Sequence, residues 1–143
     1  MAYQKLLFKI FGIGGTVAVW APTTLMLIFS LVGFISSGTF HMDFLLPAEL
    51  FLIELVGMLL LVFSAWKEGH YFCPLLGLSI GSIASMATIV IFAEATGMAN
   101  GTVNPLPWML VVFYIFTALM SLGFIGVGFF GLKFTLHVFG KAK

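Results

Sequence analysis

Hydrophobic positions in this chain do not alternate with polar ones; they run on. Four stretches are apolar almost throughout: Ile10–Ile35, Phe44–Trp66, Tyr71–Thr96 and Leu106–Leu132. At about 1.5 Å of rise per residue, each is long enough to cross about 30 Å of hydrocarbon as a helix. A helix on the surface of a water-soluble protein carries an apolar stripe at i, i+3 and i+4 with a polar face opposite. None of these four has that polar face. The segments between them, 36–43, 67–70 and 97–105, are short and more polar. The pattern predicts an all-α integral membrane protein. Its four transmembrane helices form one bundle and one membrane domain over residues 1–143, with no soluble domain inserted.

The first stretch imitates a signal peptide, following Lys5 and Lys9 and ending at Ser36-Ser37-Gly38. Its apolar run of about 26 residues far exceeds the 7–15 of such a core, so it reads as a first membrane span. Pro22 falls inside it and predicts a kink, since proline removes a backbone donor. Pro47 and Pro107 fall in the first turns of the second and fourth helices, where proline fits well. The tail from Lys133 to Lys143 reads as an interfacial segment with Phe134 and Phe139 down and its lysines up.

Composition agrees with the pattern: 62% of residues are hydrophobic and 8% charged, against roughly 25% charged in soluble domains. Charge placement adds an orientation. Lys5 and Lys9 precede the first helix, Lys67 lies between the second and third, and Lys133, Lys141 and Lys143 follow the fourth. With the N-terminus inside, all six lysines are inside. By the positive-inside rule both termini are then cytoplasmic, or on the matrix or stromal side. All six basic residues are lysine. The chain therefore lacks the planar fork that clamps carboxylates and phosphates, which argues against membrane enzymes that hold anionic cofactors with arginine. No basic patch for nucleic acid is present. Cys73 is the single cysteine, read as a small buried residue at a helix start. No sequence motif indicates a cofactor.

Small residues mark where membrane helices approach. On the third helix Gly77, Gly81, Ala84, Thr88 and Ala95 fall within about 60° of one another, with Gly77 and Gly81 forming a GxxxG pair. The expectation is that this face forms a seam within the chain, with an oligomer contact as the alternative. Thr117, Ser121, Gly128 and Thr135, with Gly131 close by, make a second face on the fourth helix. Gly12 and Thr16 make a small patch on the first.

Chemistry-bearing residues are few. The acids are Asp43, Glu49, Glu54, Glu68 and Glu94, and all but Glu68 fall, with His41, at the outer end in this topology. Glu49 sits in the first turn of the second helix, where a carboxylate suits the helix N-terminus. Glu94 is near the outer end of the third and can reach headgroups. Glu54 lies five residues beyond Glu49, about 7–8 Å deeper, where an acid costs roughly 2.5–3.5 kcal/mol on insertion scales. It has to be neutral, or paired with a hydroxyl, a backbone carbonyl or another chain's cation. His41, Asp43, Glu49 and Glu94 are candidate ligands for a divalent cation at the outer mouth, hard oxygens with one imidazole. His70 and His137 read as polar residues of the inner boundary. Ser79, Ser82 and Ser85 lack a histidine at their depth and read as packing hydroxyls, so no catalytic set is present.

These observations point first to an accessory or structural subunit of a larger membrane complex, with lipid and other membrane subunits or further copies as partners. The alternative is a small oligomeric proton- or cation-coupled transporter using Glu54, with Glu49 and Glu94 at its entrance. A membrane enzyme with an outer-face metal site is a third.

Overall fold

The computed structural model describes residues 2–37, 48–99 and 104–140, apart from the side chains of residues 2–5, 37, 48 and 49. It contains four helices: α1 (Ala2–Ser37), α2 (Ala48–Glu68), α3 (Phe72–Ala95) and α4 (Pro107–Gly140). All four are long and apolar enough to cross a membrane. α1 begins before its expected span, continuing unbroken through Pro22 to Ser37. Pro107 is the first residue of α4, where its missing N–H costs nothing. The expected TM2 boundary at Phe44, and Pro47, lie outside the described residues.

The helices form a ring. α1 packs along α2 on one side and α4 on the other, α3 packs along α4, and α2 meets α3 over a shorter stretch. α2 and α3 are joined by a tight turn in which Gly69 takes φ 70° and Tyr71 φ 60°. Outward-facing positions are frankly apolar: Leu122 is 65% exposed and Ile91 66%. Water does not tolerate so much contiguous apolar surface on a monomer.

Buried positions recur at alternating intervals of three and four. On α1 they include Gly12, Thr16, Val19, Thr23, Met26 and Ser30, and on α2 Glu54, Met58, Leu61 and Ala65, with Gly15, Pro22, Gly57 and Ser64 buried beside them. On α3 they include Leu75, Ser79 and Ser82. On α4 they include Thr117, Met120, Phe124, Val127, Gly131, Phe134 and Val138, with Gly123 and Gly128 buried beside them. This is a seven-residue repeat, the spacing of left-handed bundles with knobs-into-holes packing. The apolar centre comprises Val19, Met58, Leu61, Leu75, Met120, Phe124 and Val127.

The last stretch corrects an expectation. Lys133 to Gly140 does not turn onto a membrane surface but continues α4 without a break. No helix breaker falls between Leu132 and Phe139, and the buried spacing persists through Phe134 and Val138. Phe134 is 1% exposed. Its ring occupies the space beside Gly12, where an added Cβ would come within 2.9 Å of it. Phe139 lies under Lys9, with Nζ 5.4 Å from the ring centroid. Residues before the first expected span and after the last thus pack together. Cys73 is exposed rather than buried.

α1 and α2 approach until backbone meets backbone. A Cβ on Gly15 would lie 2.8 Å from the Gly57 carbonyl oxygen, and a Cβ on Gly57 would lie 3.0 Å from the Gly15 carbonyl oxygen and 2.9 Å from Val19. Backbone is in the way in both directions, so no rotamer relieves the clash. Gly57→Ala is therefore expected to cost about 1–3 kcal/mol. Gly14→Ala, with open space at its Cβ, is expected to stay within about 0.5 kcal/mol. Unfolding of the two variants in one detergent, followed by circular dichroism, checks the contrast.

Candidate functional site

Glu54 is the first fully buried position of α2 among the described side chains, six residues after Ala48 and so about 9 Å along the axis from the helix start. It is completely enclosed, at 0% exposure. The same repeat on α1 turns Thr23 inward, and Thr23 is also buried. Thr23 Oγ1 and Glu54 Oε1 are 2.8 Å apart. Thr23 Oγ1 is also 2.8 Å from the Val19 carbonyl oxygen, one turn back. Glu54 Oε2 has no hydrogen-bond partner among the described residues. The carboxyl of α2 is thus tied to α1 by one hydroxyl, above the Gly15–Gly57 crossing.

Other predicted residues lie elsewhere. Glu94 is exposed near the end of α3, where its backbone carbonyl accepts from the Gly97 N–H at 3.1 Å. No hydrogen bond links it to Glu54. His41, Asp43 and the Glu49 side chain lie outside the described residues. Among the described residues no three His, Cys, Asp or Glu side chains come together as a metal site. At the opposite end the His70 and His137 rings stack with centroids 4.6 Å apart. His70 Nδ1 lies 2.8 Å from the Glu68 carbonyl oxygen, and Tyr71 meets His137 edge-on.

The packing residues divide. On α4, Thr117 and Gly128 are buried and Ser121 half-buried. Gly128 makes room for the indole of Trp20, which places that mid-helix tryptophan in the α1–α4 seam. Thr135 Oγ1 is 3.1 Å from Thr16 Oγ1 of α1. On α3, Gly77, Gly81 and Ala84 are exposed and Thr88 half-buried. A Cβ on Gly77 or Gly81 would meet nothing within 4 Å. The α3 seam uses Leu78 and Ser82 instead, set against Gly126 and Gly123 of α4. The GxxxG pair is therefore outside the packing within the chain.

Sequence reasoning did not single out Thr23. One signal for it exists: Thr16, Thr23 and Ser30 are spaced by seven residues and all face inward. Gly15 and Gly57 had no such marker: Gly15 is one of three glycines between positions 12 and 15, and Gly57 stands alone on another helix.

No protein-family model matches the sequence, no curated protein matches it, and no solved structure matches its fold. The geometry alone carries the functional argument. The chain is an all-helical protein with four candidate membrane spans.

A single interhelical hydrogen bond in a membrane protein averages about 0.6 kcal/mol and reaches about 1.7. Thr23→Val removes the only described partner of Glu54. It is expected to lower stability by about 1–2 kcal/mol, at the upper end of that range because the carboxyl then has no partner. Thr23→Ser, which keeps the hydroxyl, is expected to retain most of it. Thermal unfolding of both against the wild type measures the difference.

Proposed function

We propose that this chain is a packing subunit of a larger membrane assembly, one membrane domain that offers the Gly77–Gly81–Ala84 face of α3 to another membrane helix. One observation carries the reading: a GxxxG pair stands open on the outer surface while the chain's own seams are built from other residues. Small residues let helix backbones approach closely, and such faces are characteristic of membrane helix interfaces. The lysine-rich end is assigned to the cytoplasmic side, or its matrix or stromal equivalent, on charge placement.

Purification from native membranes in mild detergent tests the reading. The wild type is expected to bring with it another membrane polypeptide or further copies of itself. Gly77→Leu combined with Gly81→Leu is expected to leave helicity and thermal midpoint unchanged, since both sites are open, and to abolish the association. A wild-type chain that purifies alone overturns the subunit reading. Association that survives the double substitution removes this face from it.

A second reading, a small oligomeric transporter coupled to protons or cations, is favoured by the enclosed Glu54 carboxyl with one oxygen unpartnered among the described residues. Ionisable groups inside membrane helices commonly mark ion pathways. Glu94, and Glu49 by its sequence position, would serve the entrance. In liposomes containing this protein alone, a pH-dependent flux abolished by Glu54→Gln is expected. Flux that survives the substitution rejects Glu54 as relay.

A further inference from the structure

We propose that Glu54 is a proton-binding site: its carboxyl carries a hydrogen on Oε1 and donates it to Thr23 Oγ1, which donates its own hydrogen to the Val19 carbonyl oxygen. The assignment follows from counting protons. Thr23 Oγ1 makes two contacts of 2.8 Å, one to Glu54 Oε1 and one to the Val19 carbonyl oxygen. A threonine hydroxyl has one hydrogen to donate and two lone pairs to accept with, and a carbonyl oxygen only accepts. If Glu54 were a carboxylate, one hydroxyl hydrogen would have to serve two acceptors. With the hydrogen on Glu54, both contacts become full hydrogen bonds.

Six other helical hydroxyls show where such a group commonly sends its hydrogen. Thr16, Thr88, Thr117, Thr135, Ser82 and Ser121 each donate to the carbonyl four residues earlier, at 2.8 or 2.9 Å. Thr23 has the same geometry toward Val19, so its hydrogen is committed in the same way. Thr16 and Thr135 supply an internal comparison. Each hydroxyl also bonds its own helix, and their oxygens stand 3.1 Å apart, where either could be the donor. The Glu54–Thr23 pair is 0.3 Å closer, at 2.8 Å, within the usual range of an O–H···O bond.

The surroundings agree. A buried carboxylate is normally held by several donors or by a cation. Here one hydroxyl reaches the carboxyl, and Oε2 has no partner among the described residues. As the carbonyl oxygen of a neutral acid, Oε2 is a far cheaper group to enclose than half of a bare anion. The assignment rests on hydrogen-bond geometry and holds for either functional reading above.

Infrared spectroscopy of the full chain in lipid bilayers at neutral pH tests it. A carbonyl stretch of a protonated carboxyl is expected, shifting down in D2O, disappearing in Glu54→Gln, and moving to higher frequency in Thr23→Val as its hydrogen bond is lost. Spectra in which Glu54→Gln removes only carboxylate bands overturn the proposal. So does a protonated-carboxyl band that survives the substitution. Should Glu54→Gln fail to fold, the wild type labelled with ¹³C at its glutamate carboxyls decides instead. One protonated carboxyl resonance that moves in Thr23→Val supports the assignment, and four ionised resonances refute it.

Discussion

Two helices reach backbone contact only where neither interposes a side chain, and in this protein α1 and α2 do so at Gly15 and Gly57. In a bilayer the surrounding acyl chains are as apolar as the helices, so burying leucine against leucine drives little association. What remains is the fit of surfaces and the few polar contacts that lipid cannot replace. The glycine crossing brings α1 and α2 close enough for Thr23 to reach Glu54 and for the Ser64 hydroxyl to bond the Phe8 carbonyl oxygen at 3.2 Å. Both links depend on that separation. α1 then presents Thr16 and Trp20 to α4, whose Gly128 and Gly131 leave room for them.

The seven-residue repeat gives each helix one inward seam, and hydroxyls occupy it at regular intervals. On α1 these are Thr16, Thr23 and Ser30. Most inward hydroxyls return their hydrogen to their own backbone, which lets a polar side chain lie in an apolar seam at small cost. Ser64 and Glu54 instead look across to a neighbouring helix, Ser64 to the Phe8 carbonyl oxygen and Glu54 to Thr23. Ser30 and Ser79 are buried without a hydrogen-bond partner among the described residues. Polar groups in this position specify register more than they add stability.

The four helices were legible in the sequence because stretches of twenty or more residues, apolar almost throughout, admit few other structures. Their inward faces were not. A helix apolar all round has no polar face to say which side is buried, so the usual periodicity argument loses its footing. Small residues stood in for it, and succeeded only partly. On α4, Thr117, Gly128 and Gly131 do turn inward, whereas on α3 the GxxxG pair, equally persuasive as letters, faces outward and Ser82 takes the seam. A glycine records that two backbones can approach, without recording whose. Glu54 stood out by its depth alone, but its partner is a threonine 31 residues earlier, and nothing local connects them. The tail after Leu132 was misjudged because its lysines suggested a boundary, while Gly12, over a hundred residues away, held the space that keeps Phe134 inside.

Helix length has a consequence for the membrane itself. α2, with 21 residues, measures about 31 Å and matches a typical hydrocarbon core. α1 is apolar from Leu6 to Ser36, 31 residues, or about 46 Å. A bilayer that matches α2 is too thin for α1. A tilt of about 20° shortens the longer helix by only a few ångströms. The surplus falls on α1 and also on α4, whose apolar stretch runs 34 residues, and these two helices pack side by side. Lipid around this protein would have to stretch along one flank and relax along the other.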